Sequence, residues 1–206
     1  SNRDFSRVIK PLKLFGANIK SKNNLLPIEI LGTNFLRPIK YQENIGSAQV
    51  KSCIILCALN TPGVTIINSK SSRNHTELML KFLKYPIKVK RTKKVDKIFI
   101  QGQNQFKAFK YNIPGDISSA AFFIVLTLLS KNSELIIKNV NINESRIGIV
   151  KILNKMGADI KFKRKKLYNG EEIADIFVKS NKSLKSVNCP PKLNSSAIDE
   201  FLIIFL

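Results

Sequence analysis

Residues 8–20 read VIKPLKLFGANIK, and two later stretches, ELMLKFLKYPIKV at 77–89 and VKILNKMGADIK at 150–161, repeat their pattern. In each stretch, apolar residues at helical spacing lead into a turn and then into β-branched residues, which predicts an amphipathic helix followed by a strand. Gly16 and Gly157 stand where such a helix ends, because glycine adopts the left-handed conformation of the turn at little cost. Tyr85-Pro86 replaces Gly-Ala in the middle copy. The copies recur about every seventy residues, which predicts a fold of repeated modules.

A second and more apolar helix is predicted upstream of the amphipathic one. Residues 47–59 lead to the turn Thr61-Pro62-Gly63 and a strand at 64–67, and residues 118–129 lead in the same order to a strand at 134–140. The module is therefore of the α/β (α+β) class, in which helices stacked on a sheet bury the apolar faces of both.

The two ends of the chain do not coincide with the ends of a module. The first helix of a module is missing at the start, and an apolar helix begins at residues 201–206 as the chain stops. We expect residues 120–126 and 201–206 to be buried helical segments. Because a complete protein rarely leaves such a segment exposed, we also expect the chain to be an internal part of a longer polypeptide.

Composition narrows the class of protein. With 44% hydrophobic residues, the chain of 206 residues is expected to pack a core, which excludes global disorder. Cys53, Cys57 and Cys189 form no CxxC pair, so they predict neither a disulfide framework nor a metal site, and they indicate a reducing, cytoplasmic setting. The apolar runs are too short for a bilayer, so we expect no membrane partner.

The net charge is large, but its distribution along the chain weakens the case for a polyanion partner. The 35 Lys and Arg against 14 Asp and Glu leave +21, and clustered cations bind nucleic acid by releasing counterions. Here, however, lysine is spread over the whole chain with Ile and Asn, as strongly A/T-biased coding would place it on solvated faces. We expect no specific nucleic-acid partner, and residues 161–166 are interpreted as a solvated strand end or loop. A basic polyanion-binding protein stays an alternative.

Three helix entrances carry polar or acidic residues. At residues 47–49, hydroxyl, carboxamide and backbone N–H groups meet the positive end of the helix dipole, which fits an anion site as well as an ordinary N-cap by Ser47. Asp116 is placed to cap the N–H groups of Ser118 and Ser119. Residues 195–200 bring two acids to a helix start, where either a cap or a general base fits.

A polar run, SSRNHTE at 71–77, precedes the middle amphipathic helix. Asn74 or Thr76 fits the N-cap of that helix, while the forked guanidinium of Arg73 can bind a carboxylate or a phosphate. His75 is the only histidine, and no Asp or Cys near it in sequence suggests a triad or a metal site. A structural role therefore suits His75 better than that of a catalytic base.

Eight motifs resemble, in order and spacing, those of the 5-enolpyruvylshikimate-3-phosphate synthases. They are RxxxRVxxPLxxxGA (3–17), SAQVKS (47–52), LNTPG (59–63), RNHTE (73–77), PGDxSSA (114–120), NxxRxG (143–148), MGADI (156–160) and IDE (198–200). The Ser-Ala-Gln form is similar to the glyphosate-tolerant, class II branch of the family.

The resemblance implies a fold and a reaction. The fold would be an inside-out α/β barrel of two lobes, both incomplete here, with residues 1–112 as the latter part of the first lobe and residues 113–206 as the beginning of the second. The reaction would move the enolpyruvyl group of phosphoenolpyruvate onto the 5-hydroxyl of shikimate 3-phosphate in the shikimate pathway. It releases phosphate and uses no metal or organic cofactor. UDP-N-acetylglucosamine enolpyruvyl transferase, which shares the fold, is an alternative that the SAQ and RNHTE motifs disfavour.

The resemblance also implies roles for single residues. By position, Ser47, Ala48 and Gln49 would bind shikimate 3-phosphate, and Gln49 would also contact phosphoenolpyruvate. Arg3 would hold phosphoenolpyruvate, Arg73 would lie near the shikimate phosphate, and Asp199 would accept the proton. We expect these two substrates as partners of a monomer.

Overall fold

The chain forms two compact units, residues 1–108 and 109–206. The computed structural model describes residues 2–92, 95–180 and 183–206. Every helix in these ranges is too short or too polar to cross a membrane. The lobe boundary after residue 112 stays a prediction.

The first unit packs helices on a four-stranded sheet. Its helices are α1 (Ser6–Phe15), α2 (Ala48–Leu59) and α3 (His75–Phe82). Its strands are β1 (Asn18–Ser21), β2 (Ile28–Leu31), β3 (Lys40–Glu43), β4 (Val64–Lys70), β5 (Ile87–Arg91) and β6 (Val95–Gln101). Strands β1 and β2 form an antiparallel pair, and the larger sheet has the order β3-β4-β6-β5, with only the β3–β4 pair parallel. The core joins Phe15 of α1 and Ile54 of α2 to Ile67 and Ile98 of the sheet, all fully buried.

The second unit repeats this arrangement on a three-stranded sheet. Its helices are α4 (Ile117–Leu129), α5 (Gly148–Lys155), α6 (Asn194–Ala197) and α7 (Phe201–Ile204), with a 3-10 turn at Pro191–Leu193. Its strands are β7 (Glu134–Asn141), β8 (Asp159–Tyr168) and β9 (Glu171–Lys179), in the antiparallel order β7-β9-β8. Ile124, Ile149 and Ile176 pack at the centre of its core, and all three are fully buried.

The predicted repeat is present, with a shift of one residue in the middle copy. Gly16 and Gly157 end their helices with positive φ angles of 103° and 95°. In the middle copy the residue of positive φ is Lys84, at 56°, and not Tyr85. The following N–H bonds five residues back in every copy: Ala17 to Leu12, Tyr85 to Leu80 and Ala158 to Leu153. The backbone therefore makes the same turn three times, even where lysine has to adopt the left-handed conformation.

Two predictions about the apolar and basic runs were wrong in part. Residues 161–166 lie inside β8 and not at a strand end, although their lysines are exposed as expected. Residues 201–206 are not fully buried: Leu202 is 85% exposed, whereas Phe201, Ile203 and Ile204 pack against core residues and are partly buried. In α4 one face is buried, whereas Phe122 and Phe123 on the other are exposed. A helix lying on one sheet can bury only the face that meets it.

Candidate active site

The entrance of α2 holds three of the five predicted ligand residues of the first unit, Ser47, Ala48 and Gln49. Ser47 precedes the helix, and its Oγ accepts the N–H of Val50 at 3.3 Å, so the N-cap interpretation is confirmed. A helix has no carbonyl four residues back for its first N–H groups, which leaves those of Ala48 and Gln49 for a ligand. Capping by Ser47 is therefore compatible with anion binding at the same entrance.

A buried carboxylate shapes the loop before this entrance. Glu43 ends β3 and is 3% exposed. Its Oε1 accepts the N–H groups of Ile45, Gly46 and Ser47 at 3.0, 3.0 and 3.2 Å, and its Oε2 accepts the Ser69 hydroxyl at 3.0 Å. Residues 44–46 thus wrap around the carboxylate, and the N–H of Ser47 is already satisfied. Sequence analysis missed Glu43 because an acid at a strand end normally faces water.

Arg7 of α1 holds the side chain of Gln49. Its Nη2 donates to Gln49 Oε1 at 2.8 Å, across 42 residues of sequence. With its oxygen engaged, the carboxamide of Gln49 keeps its two N–H donors for a ligand. Arg7 stands in one of the quoted motifs, but no role was predicted for it.

The loop that carries Arg73 lies beside the start of α2. A Cβ added to Gly46 would lie 3.6 Å from the carbonyl oxygen of Ser71, and the hydroxyls of Ser52 and Thr76 are 2.7 Å apart. Arg73 lies between these two contacts in sequence, so its backbone is held close to the first turns of α2.

The N-cap prediction for α3 is confirmed in position only. Asn74 is the N-cap residue, but its side chain accepts no capping bond. Thr76 lies inside the helix, where its hydroxyl pairs with Ser52. Helix α3 is joined to α2 by this hydroxyl contact, and its Leu80 is buried in the core of the unit.

A buried ion pair joins α2 to α3 beneath this loop. Lys51 Nζ lies 2.7 Å from Glu77 Oε1, with side chains 0% and 3% exposed. The two atoms are close enough for an ion pair, but within the described residues neither Lys51 Nζ nor Glu77 Oε2 makes a hydrogen bond. The charges therefore depend on each other for their neutralisation.

Arg3 lies in the exposed segment just before α1. Asp4 beside it accepts the backbone N–H of Ser6 at 2.7 Å and the Ser6 hydroxyl at 2.8 Å, and these bonds hold the pKa of Asp4 below its usual value. The carboxylate thus fixes the chain just after Arg3 and leads it into the helix that carries Arg7.

In the second unit, Arg146 gathers the acidic residues that the sequence singled out. Its Nη2 donates to Asp116 Oδ1 at 2.7 Å and to Ser118 Oγ at 2.6 Å, and its Nη1 lies 3.8 Å from Asp199 Oδ2. The Ser118 hydroxyl in turn donates to Glu200. Asp116 caps α4 through the N–H of Ser119 at 3.1 Å, which confirms half of its predicted role.

The NxxRxG motif at 143–148 has a structural explanation. Asn143 Oδ1 accepts the N–H and the hydroxyl of Ser145, at 2.9 and 2.7 Å, and so turns the chain into Arg146. Gly148 begins α5 against α6, where an added Cβ would lie 2.6 Å from the backbone of Ser196. The motif thus brings the segment that carries Asp199 close to α4 and α5.

Replacing Gly148 by Ala is expected to destabilise the second unit by about 2 kcal/mol, because the backbone of Ser196 cannot move aside as a flexible side chain would. A change from glycine to alanine inside a helix ordinarily stabilises a protein by up to about 1 kcal/mol. A loss of stability on this change therefore indicates the close approach of Gly148 to Ser196. Urea unfolding measures it, with Gly115→Ala as the control, since its Cβ would meet Val140 at an ordinary 3.4 Å. A Gly148→Ala protein as stable as the control contradicts the close approach.

The histidine and the cysteines lie in or beside helices. His75 begins α3, and its structural role stays a prediction. Burial raises the pKa of the Cys53 and Cys57 thiols, which makes them poor nucleophiles. In residues 2–92, 95–180 and 183–206, no three His, Cys, Asp or Glu side chains are grouped to hold a metal ion.

The comparisons with known proteins first define a class. The chain superposes on EPSP synthase from Acinetobacter baumannii with a TM-score of 0.85 and 36% identity, covering 100% of this chain and 46% of that one. It also superposes on the enolpyruvyl transferase NikO from Streptomyces tendae, with a TM-score of 0.59 over 85% of this chain and 42% of that one. At 13% identity the second likeness concerns the fold alone. The fold is that of the enolpyruvyl transferases, as predicted, although the described residues form open sheets and no closed barrel.

Sequence relatives then define the family. Residues 1–205 match the family model of EPSP synthase (3-phosphoshikimate 1-carboxyvinyltransferase). The chain is 42% identical to the 3-phosphoshikimate 1-carboxyvinyltransferase of Ruthia magnifica subsp. Calyptogena magnifica and 43% identical to that of Petrotoga mobilis. The alignments cover 100% and 98% of this chain and 46% of each relative. The chain therefore belongs to the EPSP synthase family and spans about half the length of these relatives.

Proposed function

We propose that the protein carrying this chain transfers the enolpyruvyl group of phosphoenolpyruvate to the 5-hydroxyl of shikimate 3-phosphate. The hydroxyl oxygen adds to the enol carbon that bears the phosphate, while the hydroxyl gives up its proton and the methylene carbon takes up a proton. The bond from the former enol carbon to the phosphate oxygen then breaks, inorganic phosphate leaves, and the methyl carbon gives up a proton to restore the double bond. The observation that carries this proposal is the match of the family model over residues 1–205.

In this proposal the substrate-binding residues of the first unit supply donors to anions. Ser47, Ala48 and Gln49 bind shikimate 3-phosphate at the start of α2, and Gln49 also contacts phosphoenolpyruvate. The N–H groups of the first turn and the carboxamide that Arg7 orients support this assignment. Arg73 binds the shikimate phosphate, and Arg3 binds phosphoenolpyruvate.

Asp199 accepts the proton of the attacking hydroxyl. Its side chain is 49% exposed and can meet a ligand, whereas its neighbour Glu200 is 4% exposed and is held by Ser118. Residues 1–112 and 113–206 belong to successive lobes, and the protein acts as a monomer in the cytoplasm without a cofactor.

A phosphate-release assay on the protein at its natural length tests the function. We expect phosphate from phosphoenolpyruvate only when shikimate 3-phosphate is present, and Asp199→Asn is expected to lower kcat by at least about a hundredfold while substrate binding persists. Lys161→Gln, on exposed β8, is the control variant. Release that depends instead on UDP-N-acetylglucosamine, or on neither acceptor, overturns the proposal.

A further inference from the structure

We propose that Arg146 is a positioning residue that holds Asp199 in place for proton transfer. The inference rests on the proposed function for what Asp199 does, but the placement of Asp199 by Arg146 can be tested without it. The relevant contacts all lie within the second unit.

The guanidinium of Arg146 links three segments that are distant in sequence. The Arg146 side chain is 15% exposed, whereas the side chains of Asp116 and Asp199 are 52% and 49% exposed. An exposed aspartate samples several rotamers, so a largely buried cation on one side of it selects among them. Because Arg146 is itself held by Asp116 and Ser118, it is a fixed point from which Asp199 is oriented.

Arg146 and Ser118 also assign different places to two consecutive acids. Glu200, next to Asp199, accepts the Ser118 hydroxyl and is buried. Asp199 faces Nη1 of Arg146 and keeps half of its surface open. This division makes Asp199, and not Glu200, the acid that can reach a ligand.

The shape of the arginine side chain matters as much as its charge. Nη2 is engaged with Asp116 and Ser118 while Nη1 points to Asp199, and a planar fork can serve both sides at once. Lysine offers a single point of charge and would keep only part of this geometry. A neutral residue would remove the cation that Asp116 and Asp199 share, so the repulsion between these two carboxylates would be less compensated and Asp199 would be held less firmly.

Kinetics of Arg146→Gln and Arg146→Lys in the natural-length protein test the functional part. We expect kcat to fall at least about tenfold in the Gln variant, with KM for both substrates within about twofold, and the Lys variant to recover part of the loss. The matched control is Arg164→Gln, which removes an 80%-exposed arginine paired with Asp175 at 3.3 Å in the same unit. Unchanged kcat in the Gln variant, or a raised KM with unchanged kcat, overturns the inference.

Amide hydrogen exchange tests the placement without relying on activity. The N–H groups of Glu200, Ile203 and Ile204 are bonded within the segment that carries Asp199. We expect them to exchange faster in Arg146→Gln than in Arg164→Gln, and the Lys variant serves if the Gln variant does not fold. Equal exchange in both overturns the placement. If the wild-type protein releases no phosphate, the proposed function is overturned. The exchange experiment still tests whether Arg146 holds the segment that carries Asp199.

Discussion

Replacing Lys51 by Met is expected to destabilise the protein by about 3–5 kcal/mol, because it leaves the carboxylate of Glu77 buried without a cation. Lys51 is fully buried, and the Glu77 side chain is 3% exposed, so water cannot replace the lost charge. Methionine keeps most of the volume of the lysine stem, which separates the loss of charge from the loss of packing. Urea unfolding of the variant and the parent measures the difference.

Two further variants separate the pair from its surroundings. The double change Lys51→Met with Glu77→Leu is expected to recover most of the stability, because no unpaired charge is left in the core. Lys20→Met, which breaks an exposed pair with Glu29 at 3.9 Å, is expected to cost less than about 0.5 kcal/mol. If the free energy of unfolding of Lys51→Met is within about 1 kcal/mol of that of the parent, the buried pair is contradicted.

Replacing Glu43 by Ala is expected to cost about 3 kcal/mol and to loosen the entrance of α2. The change removes the acceptor of three backbone N–H groups and of the Ser69 hydroxyl in a site from which water is largely excluded. Because these bonds shape residues 44–46, we also expect shikimate 3-phosphate to raise the Tm of this variant less than that of the parent. Urea unfolding and thermal melts with and without shikimate 3-phosphate, the acceptor in the proposed function, measure both effects.

The matched control for this change is Glu29→Ala, which removes a 59%-exposed carboxylate from the same unit. We expect it to leave both readouts close to those of the parent. The stability of Glu43→Gln should lie between those of Glu43→Ala and the parent, since its single amide oxygen can accept only some of these hydrogen bonds. The role of Glu43 is refuted if the Ala variant unfolds at the same urea concentration as the control.

Short-range patterns predicted the modules and several caps. Ser47 caps an N–H three residues ahead, and Asp116 caps that of Ser119, so each interaction lies within a few residues of sequence. Such reasoning was wrong by one residue at the turn between α3 and β5. Lysine at 84 adopts the conformation that glycine adopts in the other copies, and no residue type marked it.

The motifs name candidate site residues but not the contacts that hold them. Gln49 and Asp199 were named, but Arg7, which holds the first, and Arg146, which faces the second, had no predicted role. A lysine or glutamate has the same local pattern whether it is solvated or buried. Lys51 and Glu77 could therefore not be recognised as core residues before the helices that bear them were packed together.

What the sequence alone determined is the repeated order of helix, strand, helix and strand, together with the family, because periodicity, turns and motifs are properties of neighbouring residues. Strands β2, β3, β6 and β9 were not predicted. Only the tertiary structure decided which charges are buried and which acid faces outward. The Ser69 hydroxyl reaches Glu43 across 26 residues, and Ser118 reaches Glu200 across 82. Such pairs exist only once distant segments meet, and the free energy of a charge depends on the water that this meeting excludes.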